Sequence, residues 1–188
     1  QNLFVLNSLL CSLCWEQMND RSIKVTLLMA ITLDGMIGKD SDHFPDWTGP
    51  EDKKLFVAIT KKAGALIMGS KTFDTIGRPL PKRKNIIMTR SDRVSEWDNL
   101  EFTNQSPAKI LEGLEEEGYE EVILAGGAMI NSLFAKAGLI DELKVTISPL
   151  VFGEGIGLFS DDTQMDLELI EHKALGENLL YAHYKVQK

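Results

Sequence analysis

From Ile23 onward, short apolar runs alternate with stretches of helical periodicity. That alternation leaves few folds open, because it is the pattern of crossover units in a mostly parallel sheet. The apolar runs are Lys24–Ile31, Ala65–Met68, Asn85–Thr89 and Glu121–Ala125. Helices are expected near Glu51–Ala63, Lys71–Ile76 and Pro107–Glu117, and a further one near Ala128–Ala137. Ser106 followed by Pro107 reads as an N-cap and first helical position. After Asp141 the pattern turns strand-like over Glu142–Leu150, Asp166–Ala174 and Asn178–Val186. The last two flank Leu175-Gly176-Glu177, so a hairpin should close the sheet antiparallel. The fold class expected is α/β: a mostly parallel central sheet flanked by helices, with a C-terminal antiparallel hairpin, in one domain over residues 23–188.

Residues 1–22 read as an N-terminal extension. Leu3–Trp15 is apolar but broken by Asn7 and Ser8, and falls short of the roughly 20 apolar residues of a membrane span. No Lys or Arg precedes Arg21, which argues against a signal peptide. Cys11 and Cys14 form a lone C-x-x-C without the second ligand pair of a structural zinc site, so they read as reduced thiols and no metal is expected. A cytoplasmic protein without a membrane partner is the expectation. The chain carries a net charge of −8, which gives no footprint for a nucleic acid and makes any phosphate site local.

Three segments can carry chemistry. Thr48-Gly49-Pro50-Glu51 reads as a capping box that occupies Glu51 and fixes the helix register. Asp52 then shares the inward face with Phe56, Ile59 and Ala63, and must meet a ligand, a threonine or a protonated ring unless it merely complements the helix dipole. Met68-Gly69-Ser70-Lys71-Thr72 runs from a strand end through glycine into a helix, and Gly126-Gly127 repeats the arrangement. Each is either a tight turn or one half of a cradle for a dinucleotide's phosphates. Gly153-x-Gly155-x-Gly157 lacks that context and reads as a flexible loop. Ile76–Asn85 places two prolines and four cations before a strand, as a stiffened solvated connection or as an anion site.

The order of these elements resembles the dihydrofolate reductase family from about Lys24 to the C-terminus. The resemblance is carried by Met29–Gly38, Trp47, Asp52 with Phe56, Ile67–Phe73 and above all IGRPLPKRKNII over Ile76–Ile87. It implies NADPH-dependent reduction of dihydrofolate to tetrahydrofolate, by a monomer or a homodimer. Asp52 and Thr146 would be catalytic, Asp52 bonding the pterin; Ala30, Phe56 and Ile76 would line the pocket, and Arg83 would hold the glutamate carboxylate. Toward the cofactor, Ile37 and Gly38 would approach the nicotinamide. Gly69, Ser70, Lys71 and Thr72, with Ala125, Gly126 and Gly127, would cradle phosphates, and Thr89 and Arg90 would lie near the 2′-phosphate.

Several positions depart from the family pattern. The loop Lys39–Asp46 carries His43 and is a residue longer before Trp47. Ser70 stands where a phosphate-binding arginine is common, which shifts that burden to Lys71 and Arg90. Asn131 takes the place of an aromatic, and Lys53 that of an apolar residue. Leu150–Phe159, with Leu33-Asp34-Gly35, looks more like the riboflavin-pathway reductases of the same superfamily, which act on a ribosyl-aminopyrimidine phosphate. A non-catalytic nucleotide-binding module is the third reading, and the pairing of Asp52 with Thr146 argues against it.

Overall fold

The computed structural model describes residues 21–41 and 43–188, so Leu3–Trp15 and both cysteines lie outside the described residues. Eight strands form one sheet in the order β5-β4-β3-β6-β1-β7-β10-β9. Its parallel part is built by six strands, β1 (Lys24–Thr32), β3 (Ala65–Gly69), β4 (Lys84–Met88), β5 (Leu100–Thr103), β6 (Glu121–Leu124) and β7 (Glu142–Ser148). β1, β3, β4 and β6 are largely buried on both faces, which is why they read as continuous apolar runs. β9 (Leu167–Leu175) and β10 (Leu179–Val186) form the expected hairpin, with β10 antiparallel to β7.

Helices cover the two faces. α1 (Gly49–Ala63) and α2 (Ser70–Ile76) pack Phe56, Ile59, Ala63 and Phe73 against Leu28, Leu66, Met68 and Ile123. On the other face, α3 (Pro107–Glu116) and α4 (Ala128–Lys136) bring Ile110, Leu114 and Phe134 onto Val25, Leu27 and Ile67. The Ser106 side chain caps α3 by accepting from the Lys109 N–H. No helix among the described residues is long and apolar enough to cross a membrane.

Four expectations need correction. β5 joins the sheet edge where no strand was expected, because Leu100–Thr103 is too short to show a period and is defined by its pairing with β4. The strand after Asp141 ends at Ser148, since Pro149 has no N–H to continue the ladder. Gly153–Gly157 is not merely flexible: Ile156–Gly157 is β8, paired with β2 (Met36–Gly38). A Cβ on Gly155 would lie 2.5 Å from the Gly38 carbonyl oxygen, so close backbone approach is what demands glycine there. Finally, the capping box does not form. Thr48 has helical φ/ψ (−79°, −13°) and makes no side-chain cap, because an N-cap hydroxyl reaches inward only from an extended residue.

Candidate functional site

The parallel strands β1, β3, β4, β6 and β7 all deliver their carboxyl ends to one edge of the sheet, where an open α/β fold binds ligands. α1 crosses this edge with Asp52 in its first turn. Asp52 is half-buried, and burial pushes its carboxyl above the usual range. The hydroxyls of Thr146 and Thr48 and the charge of Lys53 pull it the other way without overcoming burial. Thr146 is fully buried on β7, directly opposite Ala30 of β1. Its Oγ1 lies against the carboxylate but closes no hydrogen bond of ordinary geometry, so it has bonding capacity left for a third group. Asp52, Thr146, Ala30 and Phe56 therefore meet at one end of α1, while Ile76 closes the end of α2.

Arg83 lies toward the other end of α1. It is 5% exposed, with Nε donating to the Pro81 carbonyl (3.1 Å) and Nη1 to Thr60 Oγ1 (2.6 Å). Thr60, buried in the same helix, donates in turn to the Phe56 carbonyl (2.6 Å). Among the described residues no carboxylate pairs with this guanidinium, and burial lowers its pKa. A buried cation held in place by neutral partners is poised for an anion. Asn85 shapes the loop that presents it, accepting from the Leu80 N–H and donating to the Leu80 and Arg83 carbonyls.

The two glycine turns come together. Gly69 N donates to the Gly126 carbonyl (2.8 Å), tying the end of β3 to the end of β6. α2 and α4 start at Gly69 and Gly127 with no side-chain cap, so their first N–H groups remain available. A Cβ on Gly127 would lie 3.4 Å from Thr72 Oγ1, and one on Gly126 would lie 2.9 Å from Met29 Sδ. The peptide Gly126-Gly127 is cis. Glycine at both turns thus leaves bare backbone facing the same space, which fits a diphosphate. Ser70 and Thr72 belong to α2; Thr89 follows β4, next to β3, and its amide donates to the Thr103 carbonyl. Lys71 and Arg90 are exposed and make no ion pair among the described residues.

The loop between β2 and α1 is held by an arrangement the residue pattern did not reveal. Thr32 Oγ1 donates to Asp34, whose carboxylate accepts from the amides of Phe152 and Gly153 (2.8 Å to Gly153). The Thr32 hydroxyl and these amides hold the Asp34 carboxyl below its usual range. The Phe152 ring, so fixed, receives Trp47 edge-on (5.3 Å), His43 (5.5 Å) and the Lys39 ammonium (5.3 Å). His43 also accepts from the Lys39 amide (3.0 Å). Behind it, Ile37 and Gly38 sit on β2, with Gly38 buried. A hollow of about 440 Å3 opens between Trp47, Thr48, Glu51, Pro149 and the β9–β10 turn, beside Asp52 but not including it.

Thr48, Thr60, Asp34 and Phe152 are the residues that pattern alone missed. Thr60 lies eight positions after Asp52, two turns along the same helix, and that spacing was the available signal. Asn131, buried on α4, donates Nδ2 to the Leu158 carbonyl (2.8 Å), so it braces the loop after β8.

Comparison with known proteins places the chain in a family. The sequence model of the family described as "Dihydrofolate reductase" matches residues 24–155. The dihydrofolate reductase of Bacillus subtilis is 36% identical over 124 residues, which are 64% of this chain and 68% of that protein. An uncharacterized protein of the same organism, YyaP, is 26% identical over 185 residues, 88% of this chain and 96% of its own. Among solved structures, RibD of Acinetobacter baumannii superposes with a TM-score of 0.78 at 18% identity, covering 89% of this chain and 59% of that one. A putative riboflavin biosynthesis protein from Shewanella gives 0.76 at 22% identity, over 88% of this chain and 100% of its own. These two likenesses speak for the fold. With more than half of its length matched by the family's sequence model, the chain belongs to the dihydrofolate reductase family of oxidoreductases.

Proposed function

We propose that the protein reduces 7,8-dihydrofolate to tetrahydrofolate with NADPH. The observation that carries this reading is the spacing along α1. Asp52 and Thr60, which holds Arg83, are eight residues apart, roughly 12 Å along the helix axis. A hydrogen-bonding carboxyl thus lies at one end of α1, and toward the other end lies a buried guanidinium that no carboxylate among the described residues pairs. A ligand with a pterin ring and a distal glutamate carboxylate matches both ends.

In this reading Asp52 accepts two hydrogen bonds from the pterin's 2-amino group and N3, and its charge favours the N5-protonated ring. Ala30, Phe56 and Ile76 pack the ring, and Thr146 braces the carboxyl. The paired glycine turns fit the pyrophosphate of NADPH, with Ser70, Lys71 and Thr72 beside it and Ala125 at the base. Thr89 and Arg90 would receive the 2′-phosphate, and Ile37 and Gly38 would meet the nicotinamide. The bound cofactor supplies the hydride, and the protein supplies orientation. The loop that rests on Phe152 excludes water from the reacting atoms. Such an enzyme would work in the cytoplasm and be an antifolate target.

The segment pinned by Asp34 favours the second reading, a riboflavin-pathway reductase. One assay separates them: loss of nicotinamide absorbance with NADPH and dihydrofolate, beside the ribosyl-aminopyrimidine phosphate. Consumption with dihydrofolate is expected. Consumption with the pyrimidine alone would overturn the proposal, and tight NADPH binding without turnover of either would mark a non-catalytic module.

A further inference from the structure

Asp34 is not among the substrate and cofactor residues assigned above, yet its carboxylate joins two segments far apart in sequence. Thr32 Oγ1 donates to it, and the same hydroxyl accepts from the amide of Met36 (2.9 Å), the first residue of β2. From the other side the amides of Phe152 (3.2 Å) and Gly153 (2.8 Å) donate to it, just ahead of β8. The Leu33 amide adds a main-chain tie to the Leu150 carbonyl (2.8 Å).

β2 and β8 are three and two residues long and form a sheet separate from the eight-stranded one. A pair of strands this short is marginal in water, so its place depends on what holds its ends. Asp34 serves both strands at once: β2 through the Thr32 hydroxyl, β8 through the two amides. Bonds to a charged acceptor are about twice as strong as neutral ones, which makes this carboxylate the firmest point of the junction. What the junction places is the stretch that follows it. Ile37 and the buried Gly38 come directly after Met36. Phe152, set by the same bonds, receives the ring of Trp47 (5.3 Å) and the Lys39 ammonium (5.3 Å). The strand carrying Ile37 and Gly38 and the aromatic support of the Lys39–Trp47 loop therefore share one anchor.

We propose that Asp34 is a positioning residue of the cofactor site: by tying β2 and β8 to one carboxylate it fixes the Ile37–Gly38 segment against the nicotinamide ring, and it plays no part at the adenosine end. The identity of the ligand rests on the function proposed above; the junction does not. The selectivity follows from distance. Thr89 and Arg90 follow β4, which lies three places from β1 in the sheet, roughly 14 Å across it.

The test uses Asp34→Asn, Thr32→Val and Thr32→Ser. The probes, followed by titration calorimetry, are NADPH and adenosine 2′,5′-bisphosphate, a fragment that keeps the 2′-phosphate and lacks the nicotinamide half. Asp34→Asn keeps the shape but removes the charge and one acceptor. It should weaken NADPH about tenfold, the equivalent of one lost charged hydrogen bond, and leave the fragment's affinity unchanged. Thr32→Val, which deletes the hydroxyl of a fully buried residue at nearly constant shape, should do the same. Thr32→Ser keeps the hydroxyl and should bind both probes like the parent. A second arm, free of ligands, follows Trp47 emission in a Trp15→Phe, Trp97→Phe background, where Asp34→Asn should shift the emission to the red as Phe152 releases the indole. Equal weakening of the two probes would overturn the proposal, because the carboxylate would then support the fold as a whole. Unchanged NADPH affinity or an unmoved emission would overturn it too. Neither arm needs turnover, so an enzyme that binds NADPH and is inactive on dihydrofolate would refute the proposed reaction and still decide the role of Asp34.

Discussion

Burial holds the Asp52 carboxyl above its ordinary range, and this has opposite consequences for stability and for chemistry. A carboxyl whose folded-state pKa is raised binds more protons in the folded chain than in the unfolded one. Its ionisation therefore lowers stability as pH rises through the folded value. Asp52→Asn should abolish hydride transfer near neutral pH and leave NADPH binding intact, while the melting temperature rises at pH 7 and the gain vanishes in acid. Melting curves at several pH values, run with the absorbance assay, check both halves. Arg83 presents a different balance. Its guanidinium is already desolvated, so an incoming carboxylate should form a strong pair. Arg83→Ala is expected to weaken dihydrofolate binding by about 2–5 kcal/mol and to spare a pterin lacking the glutamate tail. Equal weakening of both ligands would show that Arg83 merely supports the loop beneath it.

Among the elements, the two-stranded β2–β8 sheet does the most with the fewest residues. It joins the segment bearing Ile37 and Gly38 to the loop anchored by Asp34, and it rests on the contact between Gly155 and the Gly38 carbonyl. Gly155→Ala must push that backbone apart, which should cost roughly 1–3 kcal/mol and raise the KM for NADPH more than that for dihydrofolate. Gly113→Ala is the control. It lies inside α3 with nothing within 4 Å of the added methyl, so it should be neutral or stabilise by up to ~1 kcal/mol. Equal effects of the two substitutions in thermal melts would mean that the contact at Gly155 bears no strain.

Across the whole molecule, the amino ends of the strands are joined by charge. Asp141 accepts from the Val25 amide (2.8 Å), pairs with Arg21 (2.6 Å) and pairs with Lys188 (2.7 Å), so the start of the described chain and its last residue meet at one carboxylate. Glu115 accepts from the amides of Ser22 and Ile23. Glu142 sits among His183 (3.0 Å), Lys24 (3.4 Å) and Lys144 (3.6 Å). Burial alone would raise its pKa, but the His183 hydrogen bond and the two lysines outweigh it and hold the carboxyl low. A depressed carboxyl adds stability above its unfolded pKa and loses it as pH falls through the folded value. Glu142→Gln should therefore melt earlier than the parent at neutral pH, and the two should converge from about pH 5 downward. Parallel melting curves over that range would show that the cluster contributes nothing.

Local pattern determined much of this protein: the alternation of strand and helix, the closing hairpin, the Ser106 cap and the inward face of α1 that carries Asp52. These follow from periods of two and 3.6 residues and from turn chemistry, which a chain displays without its neighbours. Only the tertiary structure decided which partner each polar group takes. Thr48 had the spacing of a capping box, yet with a helical backbone its hydroxyl donates to the Pro45 carbonyl instead of capping the helix. Arg83 lay in a loop rich in cations and prolines, and became buried because Thr60, 23 positions earlier, offers it a hydroxyl. β5 and β8 are too short to show a period and exist through the strands that pair with them. Asp34 found its donors 118 and 119 residues away. Hydrogen bonds and burial are properties of pairs distant in sequence, and no local window contains both members.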